Sequence, residues 1–109
     1  NTQNKHVKNA LQYIHNNYDC NLTSKGIAEK INLSNYYFCR IFKSVTSRTP
    51  IEYLNYYRIN QAANMLIKHN NRSIFKIAMD VGFNNYSYFI KTFKKFKDYT
   101  PKNYRKNFI

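Results

Sequence analysis

The sequence predicts an all-α protein, about seven helices arranged as two similar units joined by one long helix. Three observations carry this. Apolar residues recur at helical spacing, and nothing alternates as a strand would. Gly and Pro number only two each, so turns fall to Asn, Ser and Thr. The chain also contains nearly the same segment twice, IAEKINLSNYYFCRIFKSVTSRTPIEY from Ile27 to Tyr53 and IAMDVGFNNYSYFIKTFKKFKDYTPKNY from Ile77 to Tyr104.

Ile27, Ala28, Ile31 and Leu33 recur as Ile77, Ala78, Val81 and Phe83, each 50 residues on. Phe38, Phe42, Lys43, Thr49, Pro50 and Tyr53 recur as Phe89, Phe93, Lys94, Thr100, Pro101 and Tyr104, each 51 on. The slip of one residue falls in a short polar stretch in the middle of the unit. A repeated segment broken there implies two copies of one small structural device.

In chain order, Val7, Ala10, Leu11 and Ile14 lie one turn apart and predict an amphipathic helix over about 5–18. Asp19-Cys20-Asn21 ends it. Thr23 caps a second helix running to about residue 31, with Gly26 a weak former near its start. Asn32 stands where the second copy has Gly82, and these residue types best tolerate a left-handed backbone. Ser34 caps a helix over about 35–46, and Asn84 or Asn85 does the same over about 86–96.

Thr49-Pro50-Ile51-Glu52 combines a cap, a proline at the first helical position and a capping-box glutamate. A long helix follows over 50–68, with Ile51, Leu54, Ala62 and Leu66 on its buried face. Ser73 caps a short helix through Val81, and Thr100-Pro101 opens a last one to about residue 107. The organisation expected is one domain over 1–109: a first unit over 5–48, the linker helix over 50–68 and a second unit over 73–108.

Lys and Arg total 18 against 5 Asp and Glu, a formal net charge of +13. A solubilising surface needs only about 2–8 charges on a small domain, so the excess points to a polyanionic partner. Nucleic acid leads, and an acidic membrane surface is second. The chain has no apolar run of membrane length, no secretory leader and no CxxC pair. Reduced thiols and a cytoplasmic location are expected. The first residue is Asn1 rather than Met, so a piece of a longer protein is expected.

Two short helices joined by a tight Asn or Gly turn form a helix-turn-helix pattern, whose second helix enters the major groove in DNA binders. Residues about 100° apart on a helix sort the 35–46 segment into two sides. Phe38, Ile41, Phe42 and Val45 gather on one, with Tyr36, Arg40 and Lys43 opposite. In the 86–96 segment Phe89, Phe93 and Phe96 face Ser87, Lys91 and Lys94 in the same way. The repeat maps Tyr36 onto Ser87, Arg40 onto Lys91 and Lys43 onto Lys94, and core packing does not explain matched cations.

Arg40 can grip guanine O6 and N7 with both arms of its guanidinium, and Lys91 can do so less rigidly or take a phosphate. Tyr36 and Tyr88 offer a hydroxyl to a base edge or phosphate and a ring to a thymine methyl. Ser87 fits either role. Lys43 and Lys94 lie farther along and suit phosphate. The helix starts at Thr23, Ser24 and Ser73 add backbone N–H donors for phosphate. Tyr37 and Tyr88 lie beside the Phe face, where core and groove roles are both open. Arg58 is open between a solvated charge and an interior partner for an acid such as Asp80. Cys39, beside Arg40, reads as a small groove-facing residue rather than a redox switch.

These residues carry a resemblance. From about Leu22 to Arg105 the chain resembles the DNA-binding domain of AraC/XylS-type transcription regulators. The resemblance is densest in the Ile77-Ala78 pair, Val81-Gly82-Phe83, Ser87-Tyr88-Phe89, Phe93-Lys94, Thr100-Pro101 and Tyr104-Arg105. It implies two helix-turn-helix units joined by a linker helix from Pro50 to Lys68, with base readers at Tyr36, Cys39 and Arg40 and at Tyr86, Ser87, Tyr88 and Lys91. Arg48 is expected to join Lys43 and Lys94 as a phosphate contact. The family usually has Gly after each recognition helix, where Ser47 and Asp98 stand here. Asp tolerates a left-handed cap better than Ser, so the end of the first recognition helix has room to close differently.

The partner expected is double-stranded DNA, with RNA polymerase a possible second, for a bacterial regulator that is monomeric as this piece and senses or dimerises through other regions. A 19-residue linker helix spans about 28 Å against about 34 Å between successive major grooves on one DNA face. One chain is thus expected to read an asymmetric site of about 20 bp. A basic RNA-binding protein would call for stacking aromatics on an open surface, whereas most Phe here fall on core faces. An interaction module that never touches DNA leaves the Arg40 and Lys91 faces unexplained. No catalytic residue, metal ligand set or cofactor is expected: His6, His15 and His69 are scattered and no carboxylate pair or phosphate loop appears.

Overall fold

The computed structural model describes residues 1–108. The described chain is all helix and turn, as the periodicity requires: α1 (Thr2–Asn17), α2 (Ser24–Lys30), α3 (Asn35–Thr46), α4 (Pro50–Lys68), α5 (Ile74–Asp80), α6 (Tyr86–Lys97) and α7 (Pro101–Phe108). The chain divides into two compact units, Asn1–Leu54 and Asn55–Ile109, and the break falls inside the continuous helix α4.

Unit 1 packs α1, α2 and α3 against one another. Its core holds Val7, Ala10, Ile14, Ile27, Ala28, Phe38, Ile41, Phe42 and Leu54. Unit 2 packs α6 against α5 and α7. Its buried residues include Ile59, Leu66, Ile77, Val81, Phe83, Phe89 and Phe93. The repeat is visible ring by ring. Phe38 and Phe42 lie 5.6 Å apart and Phe89 and Phe93 5.9 Å. Phe42 meets Tyr53 edge-on at 5.8 Å, and Phe93 meets Tyr104 edge-on at 5.3 Å.

The two turns repeat as well. Leu33 N–H donates to Ala28 C=O at 3.0 Å and Asn32 N–H to Glu29 C=O at 3.2 Å. In unit 2, Phe83 N–H donates to Ala78 C=O at 3.1 Å and Gly82 N–H to Met79 C=O at 3.0 Å. This paired closure needs a left-handed residue at one position. Asn32 fills it at φ 60° and Gly82 at φ 104°. The apolar residues that follow, Leu33 and Phe83, fold back onto their units.

The caps follow the sequence. The side chains of Thr23, Ser34, Ser73 and Asn85 accept the N–H three residues on. Thr49 and Glu52 form the reciprocal box that opens α4, at 3.2 and 2.9 Å. At the far end of α4, the Arg105 guanidinium donates to Leu66 C=O at 2.9 Å and His69 C=O at 3.2 Å. That contact fastens α7 to the C-terminal end of α4, where helix carbonyls lack their usual partners.

Several expectations need correction. α1 starts at Thr2 rather than near Lys5, because Asn1 accepts Asn4 N–H at 2.8 Å and serves as cap. Val45 is exposed, since the last turn of α3 runs past the core, and Ile51 is exposed in the first turn of α4. Phe96 is only half-buried. Arg58 is buried, its guanidinium 5.6 Å from the Phe83 ring centre, so the solvated reading of that residue is wrong. Asp80 sits with Arg72 at 3.4 Å and Lys76 at 3.1 Å.

The recognition helices end alike. Ser47 takes φ 68° and Asp98 φ 65°, and each donates its N–H four residues back, to Lys43 and Lys94, at 2.8 Å. Ser47 therefore closes α3 in the usual way, under strain. Replacing it should be stabilising: Ser47→Gly removes about 1–2 kcal/mol of left-handed strain against about 0.5–1 kcal/mol of added chain entropy. A thermal midpoint a few degrees higher, read by circular dichroism, is the expected outcome, and an unchanged or lower midpoint contradicts it.

Candidate nucleic-acid interface

In unit 1 the sequence-predicted reading residues come together. Asn35, Tyr36, Cys39, Arg40, Lys43, Ser44 and Thr49 line an open groove of about 670 Å3 along the outer face of α3. This face is opposite Phe38, Ile41 and Phe42, whose burial fixes the rotation of the helix. Tyr36 is 78% exposed, and the Arg40 guanidinium lies 5.9 Å from its ring centre. Arg40 is exposed, and among the described residues no ion pair to an acid is seen for it; the Tyr36 ring face gives the cation a favourable contact. Cys39 is half-buried, and its thiol donates to Asn35 Oδ1 at 3.3 Å.

The proposed phosphate contacts are less gathered. Lys43 belongs to the groove, whereas Thr23, Ser24 and Arg48 are not among the residues lining it. The Thr23 hydroxyl oxygen is engaged as the cap of α2. Arg48 is half-buried, and its backbone is fastened at both ends by Thr46: its N–H donates to the Thr46 hydroxyl at 3.2 Å, and its C=O lies 2.9 Å from that hydroxyl.

In unit 2, Ser87, Lys91 and Lys94 stand exposed on α6, opposite the buried Phe89, Thr92 and Phe93. Tyr86 is half-buried, with its ring edge-on to exposed Phe75 at 5.3 Å and parallel to Phe89 at 6.3 Å. Tyr88 is 49% exposed and lies 6.2 Å from the Phe83 ring. Its hydroxyl accepts a hydrogen bond from Asn55 Nδ2 at 3.0 Å. The Tyr88 ring is thus partly packed in unit 2 and partly open to solvent. Its counterpart Tyr37 packs against the unit 1 core. Ser73 Oγ accepts Lys76 N–H as the cap of α5.

Sequence reasoning missed Asn35, Ser44 and Thr49 in the groove. The repeat could have found Asn35, which is the first residue of α3 as Tyr86 is of α6. Ser44 lies one turn beyond Arg40. Asn55 carried no signal, because a single amide beside Leu54 reads as a polar interruption of an apolar stripe.

The electrostatics favour an anion. Asp80 is paired with Arg72 and Lys76, and Glu52 is held in a helix cap. Among the described residues no cluster of His, Cys, Asp or Glu could hold a metal ion, and no helix is long and apolar enough to cross a membrane.

The family model described as a helix-turn-helix domain matches residues 27–107. An uncharacterised HTH-type transcriptional regulator from the cgkA 5′ region of Pseudoalteromonas carrageenovora is 37% identical over 102 residues, covering 94% of this chain and 60% of that protein. The chain thus spans less than two thirds of that relative's length. The C-terminal domain of AraT, a response regulator from Geobacillus stearothermophilus, has the same fold with a TM-score of 0.88 at 32% identity, over 93% of this chain and 84% of that one. The DNA-binding domain of AdpA, a global transcriptional factor solved with a target DNA, superposes with a TM-score of 0.86 at 21% identity, over 92% of this chain and 89% of that one, a likeness of fold. With its two Asn/Gly-turned helix pairs, its shared linker helix and a match over most of its length, this chain belongs to the AraC-type helix-turn-helix family of transcription regulators.

Proposed function

We propose that this chain reads a specific double-stranded DNA sequence, inserting α3 and α6 into successive major grooves. One observation carries the reading. Each recognition helix buries its Phe side and exposes an unneutralised cationic side, at positions the repeat equates: Arg40 with Lys91 and Lys43 with Lys94. Base contacts fall to Tyr36, Cys39, Arg40, Tyr86, Ser87, Tyr88 and Lys91. Phosphate contacts fall to Thr23, Ser24, Lys43, Arg48, Ser73 and Lys94.

The functional division runs 5–48, 50–68 and 73–108 within one DNA-binding domain, with residue 109 outside the described residues. The chain acts by binding rather than catalysis. As a piece it works as a monomer in the bacterial cytoplasm. In the whole regulator other regions sense a signal or dimerise, and RNA polymerase is the partner of the activated complex.

Selection of bound sequences from random duplex DNA tests this directly. Two short unlike blocks about one helical turn apart, within an asymmetric site of about 20 bp, are expected. A footprint confined to one groove overturns the two-helix reading, and preference for structured RNA over duplex overturns the partner. Neutralising about 6–8 phosphates should give log K against log salt a slope near −5 to −7. Salt-insensitive affinity contradicts an interface built on these cations.

A further inference from the structure

Asn55 is the polar residue of α4 whose placement the DNA reading leaves unexplained. It is 9% exposed and, with Arg58 and Thr92, one of the buried polar or charged residues among those described. Its side-chain amide reaches across unit 2 to the hydroxyl of Tyr88, a residue of α6 that is itself half-exposed. Tyr88 is held at two further points. Its N–H donates to the Asn85 cap at 2.8 Å, and its ring leans on Phe83 at 6.2 Å. One turn along α4 from Asn55, the buried Arg58 covers that same Phe83 ring at 5.6 Å.

The direction of the hydrogen bond decides what Tyr88 can do. An amide N–H donates and the phenol oxygen accepts, so the phenol keeps its one proton to give elsewhere. A tyrosine free to rotate presents a hydroxyl that donates or accepts; this one is turned into a donor with a fixed origin. A hydrogen bond given to an ionised or strongly accepting atom gains most when the donor is already placed.

We propose that Asn55 is a positioning residue that holds the Tyr88 hydroxyl as a dedicated donor to an acceptor atom of bound duplex, a phosphate oxygen or a purine N7. The proposal rests on the DNA-binding reading above. It also separates the two units, because Tyr37, the repeat counterpart of Tyr88, is packed against the core of unit 1.

Affinity for the selected site is measured for the unaltered chain, Asn55→Ala, Tyr88→Phe and the double variant. Each single change should weaken binding about tenfold, the loss of one hydrogen bond to a strong acceptor. The double variant should bind no more weakly than Tyr88→Phe. The deciding readout is interference. Single methylphosphonates and single 7-deazapurines are walked through the half-site, and one such position should weaken the unaltered chain yet make no difference to Tyr88→Phe or Asn55→Ala. A methylphosphonate position identifies a phosphate oxygen, and a deazapurine position identifies N7. Loss of packing alone would leave every interference position in force, and that result overturns the proposal, as does additive loss in the double variant. Should Asn55→Ala unfold, Asn55→Ser, which stays polar but is too short to reach the phenol, takes its place. Failure of the unaltered chain to bind any duplex is a different outcome, which removes the DNA reading itself.

Discussion

Phe89→Ala is expected to lower the stability of this protein by about 3–5 kcal/mol, as truncation of a fully buried aromatic does. Phe89 has no exposed surface and is the hub of the unit 2 ring cluster. Phe83 packs on it edge-on at 5.2 Å, Phe93 at 5.9 Å and Tyr86 in parallel at 6.3 Å. Removing the ring leaves a void whose walls are themselves rings, which collapse poorly into it. A chain this small has a total stability of only about 5–15 kcal/mol, so the loss takes much of the whole. Phe75→Ala is the control: that ring is 55% exposed, and its removal should cost about 0.5 kcal/mol or less. Urea unfolding followed by circular dichroism separates the two. A Phe89→Ala midpoint close to that of Phe75→Ala would show that the unit 2 core is not built around this ring.

The same core explains why so much of the fold was legible. Helix starts were readable because caps are local chemistry: Ser34, Ser73, Thr23 and the Thr49–Glu52 box act within three residues of themselves. The turns were readable because a left-handed backbone admits few residue types, and Asn32 and Gly82 are two of them. Ser47 was harder to read because nothing in its own chemistry favours φ 68°; the surrounding packing imposes it. Periodicity assigned Val45 and Ile51 to buried faces since it counts angles but not where the core stops. The groove residues of unit 1 followed from one helix and its repeat. Arg58 and Asn55 did not, because what decides them is a contact 25 to 33 residues away, with Phe83 and Tyr88.

Arg40→Ala combined with Lys91→Ala is expected to reduce site-specific affinity by far more than either alone. Each change acts through a different helix of a different compact unit, so the losses should multiply. A guanidinium gripping guanine is worth about 1–3 kcal/mol of discrimination, about 5- to 150-fold in affinity. Lys91 lacks the planar fork, and its loss should fall at the lower end of that range. The pattern matters more than the size. With Arg40→Ala, one block of the selected sequence should lose its guanine preference while the other stays intact, and Lys91→Ala should do the reverse. Lys43→Ala provides the contrast: a phosphate contact removed should weaken all sequences alike and lower the salt slope by about 1. The exposed Tyr36 beneath the Arg40 guanidinium sharpens the test, since Tyr36→Ala removes the prop at 5.9 Å and should loosen the same block that Arg40→Ala relaxes. If Arg40→Ala selects the same sequence as the unaltered chain, the outer face of α3 does not read bases. The matched cations of the two units would then be a device for holding the DNA backbone, and specificity would have to come from α6 or from the shape of the duplex.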